Sequence, residues 1–377
     1  MKVLLLYPEL DLERKKGVEK KLWGQFNAFQ NKGFLVNAIY CKEQKIWRVD
    51  GSSGDKIGHN QSKNWLLIAL KYFFLAQKEL RRTKFDFIYI RYPFSHLFFL
   101  WFLHKAKKRQ LKVYIEFATF PYDQEFKNRS LLKKSVLWID KLFRMFLKNY
   151  VDRVFTYTEY ETIYGIKAIK IENGLDVSSI KKRLPCPDSN QLNLIGVANL
   201  AKWHGYDRII TGISEYYKIK KPQDIDVHFS IVGVGPAKIS LEKLVINLNL
   251  QEKVAFKGQL EGAELEIEMD NSHMGIGSLA MHRIGLDDGS TIKLREYCAV
   301  GLPFVFAYND KDFGNDFKYA VKISPNDGPV NILDLINFYR SIKDQDYTTN
   351  MNEYAKKHLS WEIKLQPVFE CMKEIPC

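Results

Sequence analysis

Short apolar runs alternate with amphipathic stretches along the whole chain. Runs at 2–7, 34–40, 86–91, 111–116, 153–157 and 168–172 have the length of buried strands, and helical periodicity marks 18–32, 65–82, 94–109, 130–149 and 158–164. The segment "CPDSNQ" at 186–191 interrupts the pattern with Pro, Asp, Ser and Asn and reads as a linker. The rhythm then restarts, with strands at 192–198, 226–232, 253–257, 273–277 and 303–307 and helices at 204–219, 237–249, 262–270 and 290–300. Such alternation builds parallel sheets with crossover helices. The pattern therefore predicts an α/β protein of two successive doubly wound, Rossmann-like domains.

A length of 377 residues agrees with two cores, and so with two lobes and a cleft between them. With 46% hydrophobic and 27% charged residues, the chain has the composition of a soluble globular protein. The net charge of +13 calls for anionic company: nucleic acid, lipid headgroups or phosphorylated ligands. No zinc-finger spacing or RNP-like pair of aromatic strands appears, so no nucleic acid is expected as a partner. The five cysteines are scattered, without a CxxC or a Cys/His cluster, as suits a reducing compartment. The apolar run in "MKVLLLYPEL" is too short for a signal peptide, and "LFFLWFL" at 97–103 falls far short of the roughly 20 residues that span a bilayer. A cytoplasmic protein is expected.

One helix qualifies that location. In 130–150, Lys133, Lys134, Lys141, Arg144 and Lys148 fall within an arc of roughly 100°, while Leu132, Trp138, Ile139, Leu142, Phe143 and Phe146 fill the remainder. Such a helix suits an anionic membrane surface, which would make the protein peripheral on the inner membrane face. A domain helix with its apolar side buried and its basic side in water has the same pattern.

Ligands of doubly wound sheets sit where strands end and helices begin, so the chemistry is sought in those loops. In "DDGSTIKLREYCAVGLPFVFA" (287–307), Ser290 and Thr291 read as loop and N-cap, and the following helix offers backbone N–H groups to an anion. Lys293 adds a cation suited to a diphosphate. Glu296 could accept hydrogen bonds from the vicinal hydroxyls of a ribose, and Asp288 could face the hydroxyls of a sugar. A capped surface helix with an i,i+3 Lys293–Glu296 pair would show the same residues. In "GVANLAKWHGYDRII" (196–210), Lys202 and His204 follow a strand where a second cation could reach the same diphosphate. Gly233 and Gly235 in "FSIVGVGP" make a tight strand-to-helix turn but not a full dinucleotide fingerprint. Lys257 and Gly258 end "VAFKG", where backbone could read a base edge.

In this order and spacing, these four stretches resemble the donor-binding domain of family 4 of the retaining GT-B glycosyltransferases. The family's Glu-x7-Glu running into Gly-x-Pro appears here as Asp288-x7-Glu296 followed by Gly301-Leu302-Pro303. "IENGLDV" at 171–177 is similar to its Asn-Gly-x-Asp signature, and "HLSW" at 358–361 to the start of its C-terminal helix. The resemblance implies a GT-B fold with two Rossmann-like domains facing a central cleft. It places an acceptor-side domain at 1–180, a nucleotide-sugar donor domain at 192–358 and a helix at 359–377 returning to the first. It implies retaining transfer of a hexose-type sugar from a nucleotide-diphosphate sugar, UDP- or GDP-linked, to a glycan or lipid-linked acceptor in surface polysaccharide or glycoconjugate synthesis. Asp288, Lys293 and Lys202 would be the catalytic set. Glu296 would hold the ribose, Thr291 and Ile292 would offer N–H groups, and Ser290, His204, Gly233 and Lys257 would complete the donor site.

Neither a metal nor a cofactor besides the donor substrate is implied. "ERKKGVEKK" at 13–21 takes the place of the family's Gly-rich loop and keeps Gly17, which joins the binding set. Two departures stand out: the first acidic residue is an aspartate, and Asn199 replaces the usual arginine. The segment 114–125 lacks the histidine many members carry and offers Glu116 and Glu125 as polar groups or structural carboxylates. A non-catalytic GT-B partner protein and a sugar-nucleotide epimerase fit the same pattern and stay open.

Overall fold

The first strand, β1 (Lys2–Tyr7), is buried from Val3 to Tyr7, as a parallel strand covered on both faces must be. The computed structural model describes residues 1–8, 16–42, 45–51, 53–59, 64–126, 131–184, 186, 190–221, 224–314 and 316–373. The chain divides into unit 1, Met1–Asp176 with Trp361–Cys377, and unit 2, Val177–Ser360.

In unit 1, β1 is followed by α1 (Lys16–Asn31), β2 (Leu35–Lys42), β3 (Lys45–Asp50), β4 (Ser53–His59), α2 (Trp65–Arg82) and β5 (Phe87–Arg91). Then come α3 (Leu97–Lys107), β6 (Lys112–Phe117), α4 (Leu131–Phe143), β7 (Arg153–Thr156), β8 (Thr162–Ile163) and β9 (Ile166–Lys170). The nine strands lie in the order β4-β3-β2-β1-β5-β6-β7-β9-β8. One face of the sheet packs Tyr72 and Phe73 of α2 with Phe99 and Phe102 of α3, and the other packs Leu22, Phe26 and Phe29 of α1.

Three local departures from the sequence pattern have physical causes. The edge hairpin β3–β4 was not foreseen. Its signal is Asp50-Gly51, with Gly51 at φ 61, between the buried Ile46 and Val49 and the returning strand. The stretch 158–164 is not helical. Tyr164 and Gly165, both at positive φ, make a two-residue turn that pairs β8 with β9 antiparallel. The helix expected at 130–149 is α4 followed by a 3₁₀ segment, Arg144–Asn149.

Unit 2 contains β10 (Gln191–Val197), α5 (Tyr206–Ile219), β11 (Asp226–Val232), α6 (Lys238–Asn247), β12 (Val254–Gly258), α7 (Ala263–Asp270), β13 (Met274–Ile276) and α8 (Ile292–Val300). It continues with β14 (Phe304–Phe306), β15 (Ala320–Lys322), α9 (Ile332–Ile342) and α10 (Tyr347–His358). The sheet order is β12-β11-β10-β13-β14-β15, and every pairing is parallel. Strand order reverses between β10 and β13. Ile209 and Ile213 of α5, Ile231 of β11 and Leu335 of α9 share the core.

The last helices, α11 (Trp361–Lys364) and α12 (Gln366–Lys373), belong to unit 1. Val368 and Phe369 join the α1 face, and the Trp361 N–H donates to the Leu175 carbonyl at 3.1 Å. Gly174 is required for this contact, since a Cβ there would lie 2.7 Å from Trp361 Cα. The Asn-Gly-x-Asp and His-Leu-Ser-Trp stretches thus meet in space.

Candidate functional site

The reversal of strand order in unit 2 opens a crevice between the loops that follow β10 and β13. Those loops are bonded to each other. The Leu279 N–H donates to the His204 carbonyl at 3.0 Å, and the Ala280 N–H to that of Trp203 at 3.1 Å. Gly205, at φ 66, permits the approach: a Cβ there would sit 2.9 Å from that of Leu279. The turn after β11 lies against the same loop, because Leu200 N–H donates to the Val234 carbonyl at 2.8 Å and Ala237 N–H to that of Leu200 at 3.0 Å. Gly233, at φ 122, runs so close to the Ala198 carbonyl that no side chain fits.

The loop before α8 is fixed from the opposite side. Asn309 N–H donates to the Asp287 carbonyl at 2.8 Å, and Gly289 N–H to that of Asn309 at 2.9 Å, which places Asp288 in a parallel bridge with its side chain exposed. Thr291 is the N-cap of α8, but its hydroxyl bonds Tyr308 Oη at 2.6 Å instead of capping the helix. The first turn, beginning at Ile292, therefore keeps backbone N–H groups for an incoming anion. Ser290 directly precedes the cap.

Lys293 is the unusual member. Its Nζ is out of contact with solvent, makes no hydrogen bond, and lies 5.5 Å from the centre of the Tyr206 ring. Burial lowers its pKa from the usual lysine range to about 7. His204, buried nearby, accepts the Ala201 N–H at Nδ1, so the neutral ring carries its proton on Nε2. Burial, reinforced by the charge of Lys293, lowers His204 to about 3. A solvent-excluded ammonium without a counter-ion, in the first turn of a helix, is an arrangement that an anion completes.

The other residues expected from the sequence take varied positions. Lys202 is exposed in the 3₁₀ turn after β10 and borders a cavity of about 270 Å³ with Asp207, Ser240 and Arg283. Glu296 is half-buried on α8, one turn beyond Lys293. Lys257, at the end of β12, pairs with Glu268 at 3.3 Å. Gly17 lies in the first turn of α1, in unit 1. Glu116 is fully buried, 2.7 Å from Lys21 and 3.3 Å from Arg91, and accepts from Gln25 and Tyr89 at 2.7 Å each. Burial alone would raise its pKa, but the two cations hold it at about 2. Glu116 is thus a structural carboxylate; the side chain of Glu125 lies outside the described residues.

Sequence reasoning missed the supports. Arg295, wholly buried, forms a two-pronged pair with Asp310 at 3.0 Å on each arm, a further pair with Asp312, and a bond to the Thr291 carbonyl at 3.0 Å. The α8 cap is thereby fixed from beneath. Arg208 bonds the carbonyls of Leu279, Ser324 and Gly328 and ties the loops after β13 and β15 to the start of α5. An arginine one turn after a small-residue loop was the available signal, but its acidic partners lie 15 and 17 positions away. Among the described residues, no group of three or more His, Cys, Asp or Glu could hold a metal ion, and no helix is long and apolar enough to cross a membrane.

Two units built on largely parallel sheets, a reversal of strand order in unit 2 and a final segment returning to unit 1 define the GT-B class of fold. Within it, residues 181–358 match the family model of the group 1 glycosyl transferases. Solved structures agree over the whole length. A glycosyltransferase from Rickettsia africae is 15% identical with a TM-score of 0.60, covering 99% of this chain and 98% of that one. HepE from Anabaena in complex with UDP-glucose is 14% identical with a TM-score of 0.61 and full coverage of both chains. Sucrose-phosphate synthase from Thermosynechococcus elongatus is 13% identical with a TM-score of 0.57, covering 99% and 98%. No curated protein matches the chain in sequence.

Proposed function

We propose that the protein is a retaining, metal-independent glycosyltransferase of the cytoplasm. It moves a hexose-type sugar from a UDP- or GDP-linked donor to a glycan or lipid-linked acceptor in surface polysaccharide or glycoconjugate synthesis. The observation that carries this reading is the buried, unpartnered Lys293 ammonium behind the uncapped start of α8. The donor diphosphate lies there, with Lys202 reaching it from the loop after β10, Glu296 accepting from the ribose and Asp288 facing the sugar. Thr291 and Ile292 supply N–H groups, while Gly233 and Lys257 border the nucleoside.

As the anomeric C–O bond to the diphosphate breaks, charge accumulates on the leaving oxygens, where Lys293 and the helix dipole already point. The acceptor oxygen bonds the anomeric carbon on the same face, and its proton passes to the departing diphosphate. The match of 181–358 to group 1 glycosyl transferases and the UDP-glucose in HepE support this class of donor.

The test is thermal stabilisation by a panel of UDP-, GDP-, ADP-, TDP- and CMP-linked sugars. A donor at about 100 times its dissociation constant should stabilise by roughly 2.7 kcal/mol, and Glu296→Ala should lose most of that gain. Turnover with an acceptor, and the anomeric configuration of the product by NMR, then separate transfer with retention from a non-catalytic partner or an epimerase. No shift with any nucleotide sugar rejects the proposal.

A further inference from the structure

In unit 1 the helices α2, α3 and α4 connect β4, β5, β6 and β7 in turn and cover one face of the sheet. Their outer surface is unusually apolar. Leu67 and Phe74 of α2, Leu97 of α3, and Trp138, Leu142 and Phe146 of the α4 region are exposed, Trp138 at 72% and Leu142 at 66%. The side of α4 turned to the protein combines Leu137, packed on the core, with two charged anchors. Asp140 is wholly buried, bonded by the Tyr92 hydroxyl, by the Ser95 N–H at 2.6 Å and by the Tyr122 hydroxyl at 2.6 Å. Arg144, mostly buried, pairs with Asp123 at 2.9 Å. The helix is thus anchored by its carboxylate and guanidinium, while Trp138, Leu142 and Phe146 face outward. A surface helix in water keeps side chains of that size on its buried side.

The charge is equally one-sided. Unit 1 holds 35 Lys and Arg against 21 Asp and Glu, whereas unit 2 holds 22 against 23. Residues 64–150, which contain the three helices, account for 18 basic and 6 acidic residues. Lys134, Lys141 and Lys148 recur every seven positions beside the exposed stripe of Leu131, Trp138, Leu142 and Met145. A second copy docking through the same face would oppose like charges across the interface.

From these observations we propose that the α2–α4 layer of unit 1 is a docking surface for an anionic phospholipid bilayer. Trp138, Leu142 and Phe146 enter the acyl boundary, and the lysine row meets the headgroups. The proposal stands independently of the donor chemistry in unit 2.

The experiment is co-flotation of the full chain with phosphatidylcholine vesicles and with phosphatidylcholine–phosphatidylglycerol vesicles. Binding is expected to the second only. A Lys134→Gln/Lys141→Gln/Lys148→Gln variant should bind on the order of 100-fold more weakly, taking about 1 kcal/mol per lysine. A Trp138→Ser/Leu142→Ser variant should lose binding and the quenching of tryptophan fluorescence by brominated acyl chains. Trp138, Leu142, Lys141 and Lys148 are exposed, Lys134 is half-buried and Lys141 also pairs with Asp123 at 3.1 Å, so unchanged melting temperature and unchanged response to nucleotide sugars serve as fold controls for both variants. Absence of binding to anionic vesicles overturns the proposal. So does binding that the Trp138→Ser/Leu142→Ser variant retains, or a dimer in solution that this variant dissociates.

Discussion

Lys293 has a sharp electrostatic signature. Its folded pKa of about 7 lies below the ordinary lysine value, so between those two values the unfolded chain binds the extra proton and stability rises with pH. Below about 7 both states are protonated and the penalty is constant. A bound diphosphate reverses the preference, so donor affinity should fall as pH rises above about 7, by up to about tenfold per unit. Titration calorimetry in buffers of different ionisation enthalpy should show proton uptake on donor binding, and Lys293→Gln should abolish both effects. Glu116 gives a pH slope of the same sign for the opposite reason, since its charged form is the one the fold favours. Held at about 2 by Lys21 and Arg91, it contributes stability that is complete above the usual carboxylate range and is lost as pH falls through about 2. Glu116→Gln should cost about 3–5 kcal/mol near neutrality, because two buried cations lose their partner, and should flatten the acid limb of the stability curve measured by urea denaturation.

At the scale of elements, buried polar contacts add to apolar packing in fixing the start of α8. Asp310→Ala would leave Arg295 buried with only Asp312, and a loss of about 3–5 kcal/mol is expected. Donor response should weaken further than stability alone explains, since Arg295 also holds the Thr291 carbonyl; thermal shifts with and without donor measure both. Gly174→Ala should cost about 1–3 kcal/mol, as its Cβ would press on Trp361 backbone that cannot yield cheaply. Legibility of the sequence followed the range of the interactions. Strands such as β1 and β11 and the glycine turns were readable because burial and positive φ leave local marks on residue type. The β3–β4 hairpin was equally local, but its short, polar strands hid the Asp50-Gly51 signal. The Arg295–Asp310–Asp312 cluster and the outward placement of Trp138 and Leu142 on α4 could not be read from periodicity. A helical wheel shows that a helix has two faces, and only tertiary partners such as Tyr92 and Tyr122 decide which one points inward.

For the whole molecule, the two units differ in chemistry as well as in connectivity. Unit 2 is nearly neutral, with 22 Lys and Arg against 23 Asp and Glu. Unit 1 carries the whole charge excess, with 35 Lys and Arg against 21 Asp and Glu. Salt should therefore act on the two separately: retention on a cation-exchange resin should be set by unit 1 and drop in the Lys134→Gln/Lys141→Gln/Lys148→Gln variant, measured as an earlier elution in a salt gradient.

The return of Trp361 to Gly174 also orders events in time. During translation the α1 face of unit 1 has no α11 or α12 to cover it until all of Val177–Ser360 has been made, a delay of roughly 10 to 40 s at ordinary ribosomal rates. Unit 2, continuous in the chain, can complete its core within that interval. The nascent protein thus finishes the half that would hold the nucleotide before the half that would face the membrane.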